Sequence, residues 1–302
     1  MKNIKGMLFL FVGFILAGTS VISARLVMGR LGNFTITSVS LLFALLCLIP
    51  MTGNKLTIIK QLKPADWFNL SLQAIFGIFL FRMFLLFGLR QTSSAEAGIL
   101  TGATPAVTAI LARVILKEKM NRRKWIGIFC TVAGIIIVQG LLQPGNHFVP
   151  GHILGNFLVL CACCSESSFN TCSRILAVKA QDRQGVSLPP MVQTILVSAI
   201  AMLLCLVPAA FEQPFVSLSG IGIREWLALF WYGAFVTAVA FICWYSGIKR
   251  CNATTAAAFS GMMPFTALIL SVLFLKEPAG LQQWLGGFLI ISGMVLIGMG
   301  ED

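Results

Sequence analysis

The chain has 302 residues, of which 58% are hydrophobic and only 11% charged, and its mean hydropathy is +0.91. A soluble domain of this length would have to expose much of that apolar surface, which soluble proteins rarely do, so the composition excludes a soluble globular fold. The formal net charge of +12 does not point to nucleic acid, because the basic residues fall in short turns between apolar runs, as they do when they orient a chain in a bilayer.

A membrane-spanning helix needs about 20 apolar residues. Ten such runs are predicted, at roughly 5–28, 34–52, 66–90, 92–117, 122–142, 150–178, 189–211, 222–249, 251–276 and 280–299. Gly29 to Gly32, Gly53-Asn54, Pro64, Pro144-Gly145, Pro150-Gly151, Pro189-Pro190 and Pro214 punctuate the joints. The first run has a basic start in Lys2 and Lys5, yet it continues to Met28 without a small-residue cleavage site, so it reads as a retained span and not a signal peptide. With the N-terminus in the cytoplasm, fifteen Lys and Arg residues fall inside, from Lys2 to Arg250, and five outside (Arg25, Arg30, Arg90, Arg224 and Lys276); Arg82 and Arg113 lie within spans. That asymmetry sets the orientation. The nine cysteines lie in or beside apolar runs, where they read as reduced core residues. Cys161, Cys163 and Cys164 form their single cluster, and neither His147 nor His152 shares that helix face, so no metal site is expected. The two histidines read as solvated turn residues.

Residues 88–139 recur at 247–298 at a constant offset of 159. Gly88, Gly102, Pro105, Lys117, Glu118, Trp125, Gly127 and Gly134 reappear as Gly247, Gly261, Pro264, Lys276, Glu277, Trp284, Gly286 and Gly293. The basic stretch Lys117 to Lys124 loses most of its charge in the second copy, Lys276 to Gln283. Loss of the cytoplasmic charge signature implies a copy turned over in the membrane, and inverted repeats of this kind mark secondary transporters. Gly6 to Arg25 matches Gly155 to Arg174 more weakly at an offset of 149. Spans 1–5 thus correspond to spans 6–10, giving an all-α polytopic membrane protein of two inverted five-helix repeats, 1–145 and 146–302.

Pro105…Lys117-Glu118…Trp125-Ile-Gly127…Ala133-Gly134 and its copy Pro264…Lys276-Glu277…Trp284-Leu-Gly286…Ser292-Gly293 resemble the EamA type of the drug/metabolite transporter superfamily. Gly18-Thr19-Ser20 is similar to the Gly-Ser that closes the first half of that family's first span, although Ala17 stands where a Trp is often found. The resemblance covers nearly the whole chain. It implies ten helices, both termini cytoplasmic, and a central cavity lined by spans 1, 3, 4, 6, 8 and 9, with spans 5 and 10 supporting from outside. It does not identify the solute.

Glu166, in Cys163-Cys-Ser-Glu-Ser-Ser-Phe-Asn170 of span 6, is the leading candidate site residue. A charge at the bilayer centre costs at least about 2.5–3.5 kcal/mol, so it faces a cavity or a partner. Glu166, Asn170 and Ser173 share one helix face by spacing. A cavity carboxylate suits proton coupling, and a structural pairing is the alternative. Arg82 in span 3 carries a guanidinium that must find an anion or water. It reads as a clamp for a substrate carboxylate or phosphate, as a static partner of Glu166, or as a snorkelling residue. Arg113 can reach the cytoplasmic interface. Glu96 stabilises a helix N-terminus, and the two Lys-Glu pairs read as structural. Pro105 and Pro264 are expected to kink spans 4 and 9 and to serve as hinges or purely as architecture. Gly98 and Gly102 offer close helix contact. Trp231, Tyr232, Trp244 and Tyr245 read as an interfacial aromatic belt, or else as an aromatic wall; Trp244 is retained as a substrate-binding candidate. Thr19, Ser20, Thr101, Asn170, Ser260 and Thr255 are the polar groups placed to face the cavity.

The sequence therefore points to a secondary-active transporter of the bacterial cytoplasmic membrane. It would move a small metabolite such as an amino acid outward by alternating access, with proton coupling through Glu166. A lipid or lipid-linked-sugar flippase and, further off, a membrane-embedded enzyme are the alternatives. No ATP-binding glycine loop is present, and no cofactor or metal is expected. The expected partners are a small solute and the lipid bilayer, with no nucleic acid, and the protein is a monomer or homodimer.

Overall fold

The computed structural model describes residues 2–115, 120–138, 151–181, 188–248, 250, 259 and 262–299. Among these residues the chain is helical and contains no strand. Helices α1 (Lys2–Gly18) and α2 (Ser20–Val27) form one run interrupted only at Thr19, and α3 (Asn33–Thr52) follows a short turn. Helix α4 (Pro64–Ala74) passes through a π-helical stretch, Ile75–Leu80, into α5 (Phe81–Leu89). Helix α6 (Ser94–Leu100) tightens into a 3₁₀ turn, Thr101–Ala103, before α7 (Thr104–Ile115) and α8 (Arg122–Val138). The second half holds α9 (His152–Gln181), α10 (Pro190–Ala210), the short α11 (Pro214–Ser219), α12 (Ile223–Phe230), a second π-helical stretch at Trp231–Val239, α13 (Ala240–Ile248), α14 (Met262–Leu275) and α15 (Leu281–Gly298).

Six helical runs are long and apolar enough to cross a membrane: Ile4–Val27, Asn33–Thr52, Pro64–Leu89, His152–Cys172, Pro190–Ala210 and Ile223–Gly247. Met262–Leu275 and Leu281–Ile297 are apolar but shorter. The bundle is dressed for lipid and not for water. Phe129 and Phe288 are 74% and 70% exposed, whereas Ser40, Ser167, Thr237 and Ser271 are buried.

Glycines set the closest helix crossings. A Cβ on Gly127 would lie 2.6 Å from the Gly293 carbonyl oxygen, and one on Gly134 would lie 2.7 Å from that of Gly286. Helices α8 and α15 therefore cross antiparallel at backbone contact, which only small residues permit. Gly88 of α5 packs in the same way on Val159 of α9, and Gly247 of α13 on Leu10 of α1. Gly98 abuts Ala267, and Gly102 meets Ile290 and Pro264, so both serve the close helix contact expected of them.

The prolines differ from expectation. Pro105 does not kink a continuous helix: it is the second residue of α7, just after the 3₁₀ turn. In a first turn the missing N–H would be unpaired in any case, so proline starts this helix more than it bends it. Pro264 is the third residue of α14.

Candidate functional site

Arg82 lies on the first turn of α5, directly after the π-helical stretch, and only 5% of it is exposed. Its Nη1 donates to Ser40 Oγ at 2.7 Å, and its Nη2 donates to Thr237 Oγ1 at 2.5 Å. The guanidinium also lies 4.2 Å from the ring centroid of Tyr232. Both hydroxyls pass their own protons on to backbone carbonyls, Ser40 to Thr37 and Thr237 to Tyr232. The π-helical turn brings the last pair together, since Thr237 follows Tyr232 by five residues. Gly233 lets α3 come close enough for Ser40 to reach in: a Cβ there would sit 2.0 Å from the Ser40 carbonyl oxygen.

Every partner of Arg82 is thus neutral. No carboxylate among the described residues lies within ion-pair distance of it, and the Tyr232 hydroxyl beside it is buried without a hydrogen-bond partner. A guanidinium carries five N–H donors, and two of them are used by the described residues. Arg82 and Glu166 do not pair with each other.

Glu166 projects from α9 toward α7, where Thr104 Oγ1 donates to its Oε2 at 2.8 Å. Its immediate neighbours anchor α9 on both sides. Ser165 donates to the Phe76 carbonyl at 2.7 Å, and Ser167 to the Thr104 carbonyl at 3.0 Å. Glu166 is half-buried, as is Asn170 one turn further on. The Ser173 side chain, Ser260 and Thr255 lie outside the described residues.

One turn beyond Glu166, α9 enters an aromatic cluster. Phe169 of α9 stands 6.1 Å from Phe241 and 6.2 Å from Trp244, and Trp244 contacts Tyr245 at 4.8 Å. Gly77 in the first π-helical stretch makes room for Phe169. The belt reading therefore fails for Tyr232 and Tyr245, which are buried, because Tyr232 packs on Arg82 and Tyr245 on the ring cluster. Trp231, 39% exposed, donates from Nε1 to Thr19 Oγ1 at 2.9 Å. Thr19 in turn donates to the Leu16 carbonyl, and Ser20 beside it is half-buried. Thr101 is a correction: its hydroxyl is buried and donates to the Gly98 carbonyl at 2.6 Å, so it closes its own helix turn instead of facing a cavity.

Four carboxylates near the helix ends each bridge the two halves of the chain. Glu212 caps α3 through the Thr35 N–H at 2.7 Å, and Glu225 pairs with Arg30 at 3.4 Å. Glu277 accepts from the Ala95 N–H at 3.0 Å, at the start of α6, and faces Arg25 at 3.9 Å. Glu96 meets His152 at 3.2 Å and accepts from Asn156 at 2.9 Å. His152 is accordingly not a solvated turn residue. It folds back because a carboxylate at the head of α6 offers it a partner. Arg113 has an exposed side chain, as expected, while Lys117 and Glu118 lie outside the described residues.

Sequence reasoning missed Ser40, Thr104, Thr237 and His152. Ser40 ends the polar run Thr35-Ile-Thr-Ser-Val-Ser40 within a span, and a polar run at that depth was a readable signal. Thr237 carried none, because its role depends on a π-helical turn.

A separate groove of about 380 Å³ runs between α6, α14 and α15, lined by Ile99, Pro264, Phe265, Leu268, Trp284 and Phe288 among others. No charged side chain lines it.

Helical runs of spanning length, an apolar exterior, polar groups turned inward and two unpaired charges inside define a multi-pass membrane protein with a polar interior. The chain belongs to the EamA-like transporter family, whose profile matches residues 4–139 and 153–299. It is 29% identical to "Uncharacterized transporter YetK" of Bacillus subtilis (strain 168) over 92% of this chain and 82% of that protein. It is 25% identical to an "Uncharacterized transporter" of Clostridium kluyveri, over 97% of this chain and 92% of the other. A solved crystal structure with 19% identity shares the fold at a TM-score of 0.62, covering 96% of this chain and 95% of its own.

Proposed function

We propose that this membrane transporter is a secondary-active carrier of the bacterial cytoplasmic membrane that moves a small zwitterionic or anionic metabolite, of amino-acid type, by alternating access. The observation that carries the reading is the unmatched pair of charges. Among the described residues Arg82 has only hydroxyls and a ring around it, and Glu166 has only the Thr104 hydroxyl. A buried charge without a counter-ion is costly in a membrane protein and is retained where a ligand or proton completes it. A carboxylate on the solute satisfies the free N–H groups of Arg82, whose fork accepts it in bidentate fashion. An ammonium group or a proton satisfies Glu166. Trp244, Phe169 and Asn170 supply the wall one turn beyond Glu166, with Thr19 and Ser20 at its edge.

Alternating access draws on a ten-span, inverted-repeat arrangement with both termini cytoplasmic. Exchanged contacts support it. Gly127 of the first half meets Gly293 of the second, and their repeat mates Gly286 and Gly134 meet each other. Likewise α5 packs on α9 through Gly88, and α13 on α1 through Gly247. Such reciprocal pairs follow from a two-fold axis between the halves. The π-helical stretch Ile75–Leu80 recurs in Trp231–Val239 at the repeat offset. Pro105 and Pro264, at the heads of paired helices, are the proposed hinges. Export is the proposed direction, and Glu166 the proposed proton-coupling group. The apolar groove beside α14 offers no cation for a phosphate headgroup, which weighs against the flippase reading.

The test is counterflow of radiolabelled amino acids in proteoliposomes containing the purified protein. Accumulation that Arg82→Gln and Glu166→Gln each abolish supports the reading. Undiminished counterflow in both variants overturns the site.

A further inference from the structure

The turn between α2 and α3 roofs a second cavity, remote from the Arg82 and Glu166 sites. It measures about 560 Å³ and is lined by Arg25, Met28, Gly29, Arg30, Leu31, Gly32 and Arg90. Three guanidinium groups therefore face one space from three different segments: the last turn of α2, the α2–α3 turn, and the residue just after α5. No carboxylate lines it.

The three cations differ in what holds them. Arg25 donates to the Leu89 carbonyl and faces Glu277 at 3.9 Å through Nε alone. Arg30 faces Glu225 at 3.4 Å, also through Nε. Among the described residues Arg90 has no ion pair; it lies by the Phe87 ring, 5.7 Å away. Glu212, the remaining carboxylate close by, sits against Gly32 but is already held by the N–H groups of Phe34 and Thr35 and the Thr35 hydroxyl. The cavity is therefore a positive pocket with one uncompensated cation and two more guanidinium groups able to offer a second face.

We infer that this cavity is an oxyanion-binding site at the outer mouth of the transporter, which takes a carboxylate or phosphate group with Arg90 as its main contact and Arg25 and Arg30 as its sides. Planar guanidinium forks match the paired oxygens of carboxylate and phosphate, and a recessed cluster of like charge concentrates anions near it. The inference rests on the proposed solute class only in giving the site a use as a place of capture or release. An anion on Arg25 also competes with Glu277, which ties α2 to the head of α6. Occupancy of the mouth and the link between the halves thus share one guanidinium.

The site is tested by equilibrium binding, with no transport step, so its failure is separable from failure of the central site. The full chain in phosphatidylcholine nanodiscs is titrated with inorganic phosphate at constant ionic strength and followed by calorimetry. The expected result is saturable binding that weakens at least about tenfold in Arg90→Gln and less in Arg90→Lys, which keeps the charge without the fork. A second arm replaces part of the lipid with phosphatidylglycerol. Loss of phosphate binding there, reversed in neutral lipid, assigns the same site to a lipid headgroup. Absence of saturable binding in neutral lipid together with no Arg90-dependent retention of phosphatidylglycerol overturns the inference, as does phosphate binding unchanged by Arg90→Gln.

Discussion

The Arg82 guanidinium donates to the Thr237 hydroxyl, which donates in turn to the Tyr232 carbonyl, so a charge on one span is held by a π-helical turn on another. The arrangement fixes the fork without neutralising it. Arg82→Lys keeps the charge but cannot reach Ser40 and Thr237 while presenting a second pair of donors. Counterflow of an anionic or zwitterionic solute is expected to fall at least about tenfold in Arg82→Lys and Arg82→Gln alike. Thr237→Val removes both hydrogen bonds of that hydroxyl and is expected to cost about 0.6–2 kcal/mol in thermal unfolding in detergent. Wild-type counterflow in Arg82→Lys would show that charge alone matters there.

Among the described residues Glu166 has one hydroxyl partner, Thr104, and no cation. If it carries the coupled proton, Glu166→Gln abolishes counterflow at every pH, while Glu166→Asp keeps a pH dependence with reduced rate. Thr104→Val is expected to change the pH profile and leave the fold intact, since α7 keeps its Ser167 link through the Thr104 backbone carbonyl. The profile is read by uptake into vesicles with a clamped internal pH. A Gln variant with the wild-type profile removes Glu166 from coupling.

Much of the fold was legible because lipid imposes simple rules: apolar runs of fixed length, basic turns, and glycines where helices touch. The repeat located α8 and α15 as partners in role, and their glycines make the crossing. The site was legible by residue type and not by partner. Arg82 and Glu166 stand out as charges in apolar runs, but nothing in the chain says that one meets hydroxyls of α3 and the second π-helical stretch while the other meets α7. Those pairings depend on helix rotation, which composition does not encode. The expected role of Thr101 failed for a related reason, since a hydroxyl in a helix can always turn back to its own carbonyls. His152 was misread because its partner, Glu96, lies 56 residues away in sequence.

The α8–α15 crossing gives a paired prediction. Gly127 and Gly286 are repeat mates, and an added Cβ on either comes within 3 Å of a facing carbonyl oxygen. Gly127→Ala and Gly286→Ala are each expected to destabilise by about 1–3 kcal/mol, because the helices must move apart. Gly220→Ala is the control. It meets nothing closer than 3.7 Å and should change stability by less than about 0.5 kcal/mol. Thermal unfolding of all three in one detergent makes the comparison, and a control as destabilised as the crossing variants would defeat the argument.

Orientation is checked by reporters. If both termini are cytoplasmic, as proposed, a fluorescent protein fused to either end folds and fluoresces, whereas alkaline phosphatase fused there stays inactive. Phosphatase inserted after Gly220, in the turn before α12, is expected to be active. The Lys and Arg asymmetry sets this outcome, and replacing Arg122, Arg123 and Lys124 with Gln is expected to lower the fraction of chains in that orientation.

Glu96 and His152 join the head of α6 to the head of α9 across the two halves, with Asn156 and Thr92 completing the cluster. The carboxylate is well covered, 12% exposed against 35% for the imidazole, so the pair is firmer than an open surface bridge and weaker than a buried one. A double-mutant cycle over Glu96→Gln and His152→Ala should give a coupling of about 0.5–1 kcal/mol in thermal stability. If the link closes this end of the bundle during transport, breaking it also speeds solute exchange from that side while leaving the Arg82 variants as inactive as before. A cycle with no coupling would mean that Asn156 and Thr92 hold Glu96 in place without His152.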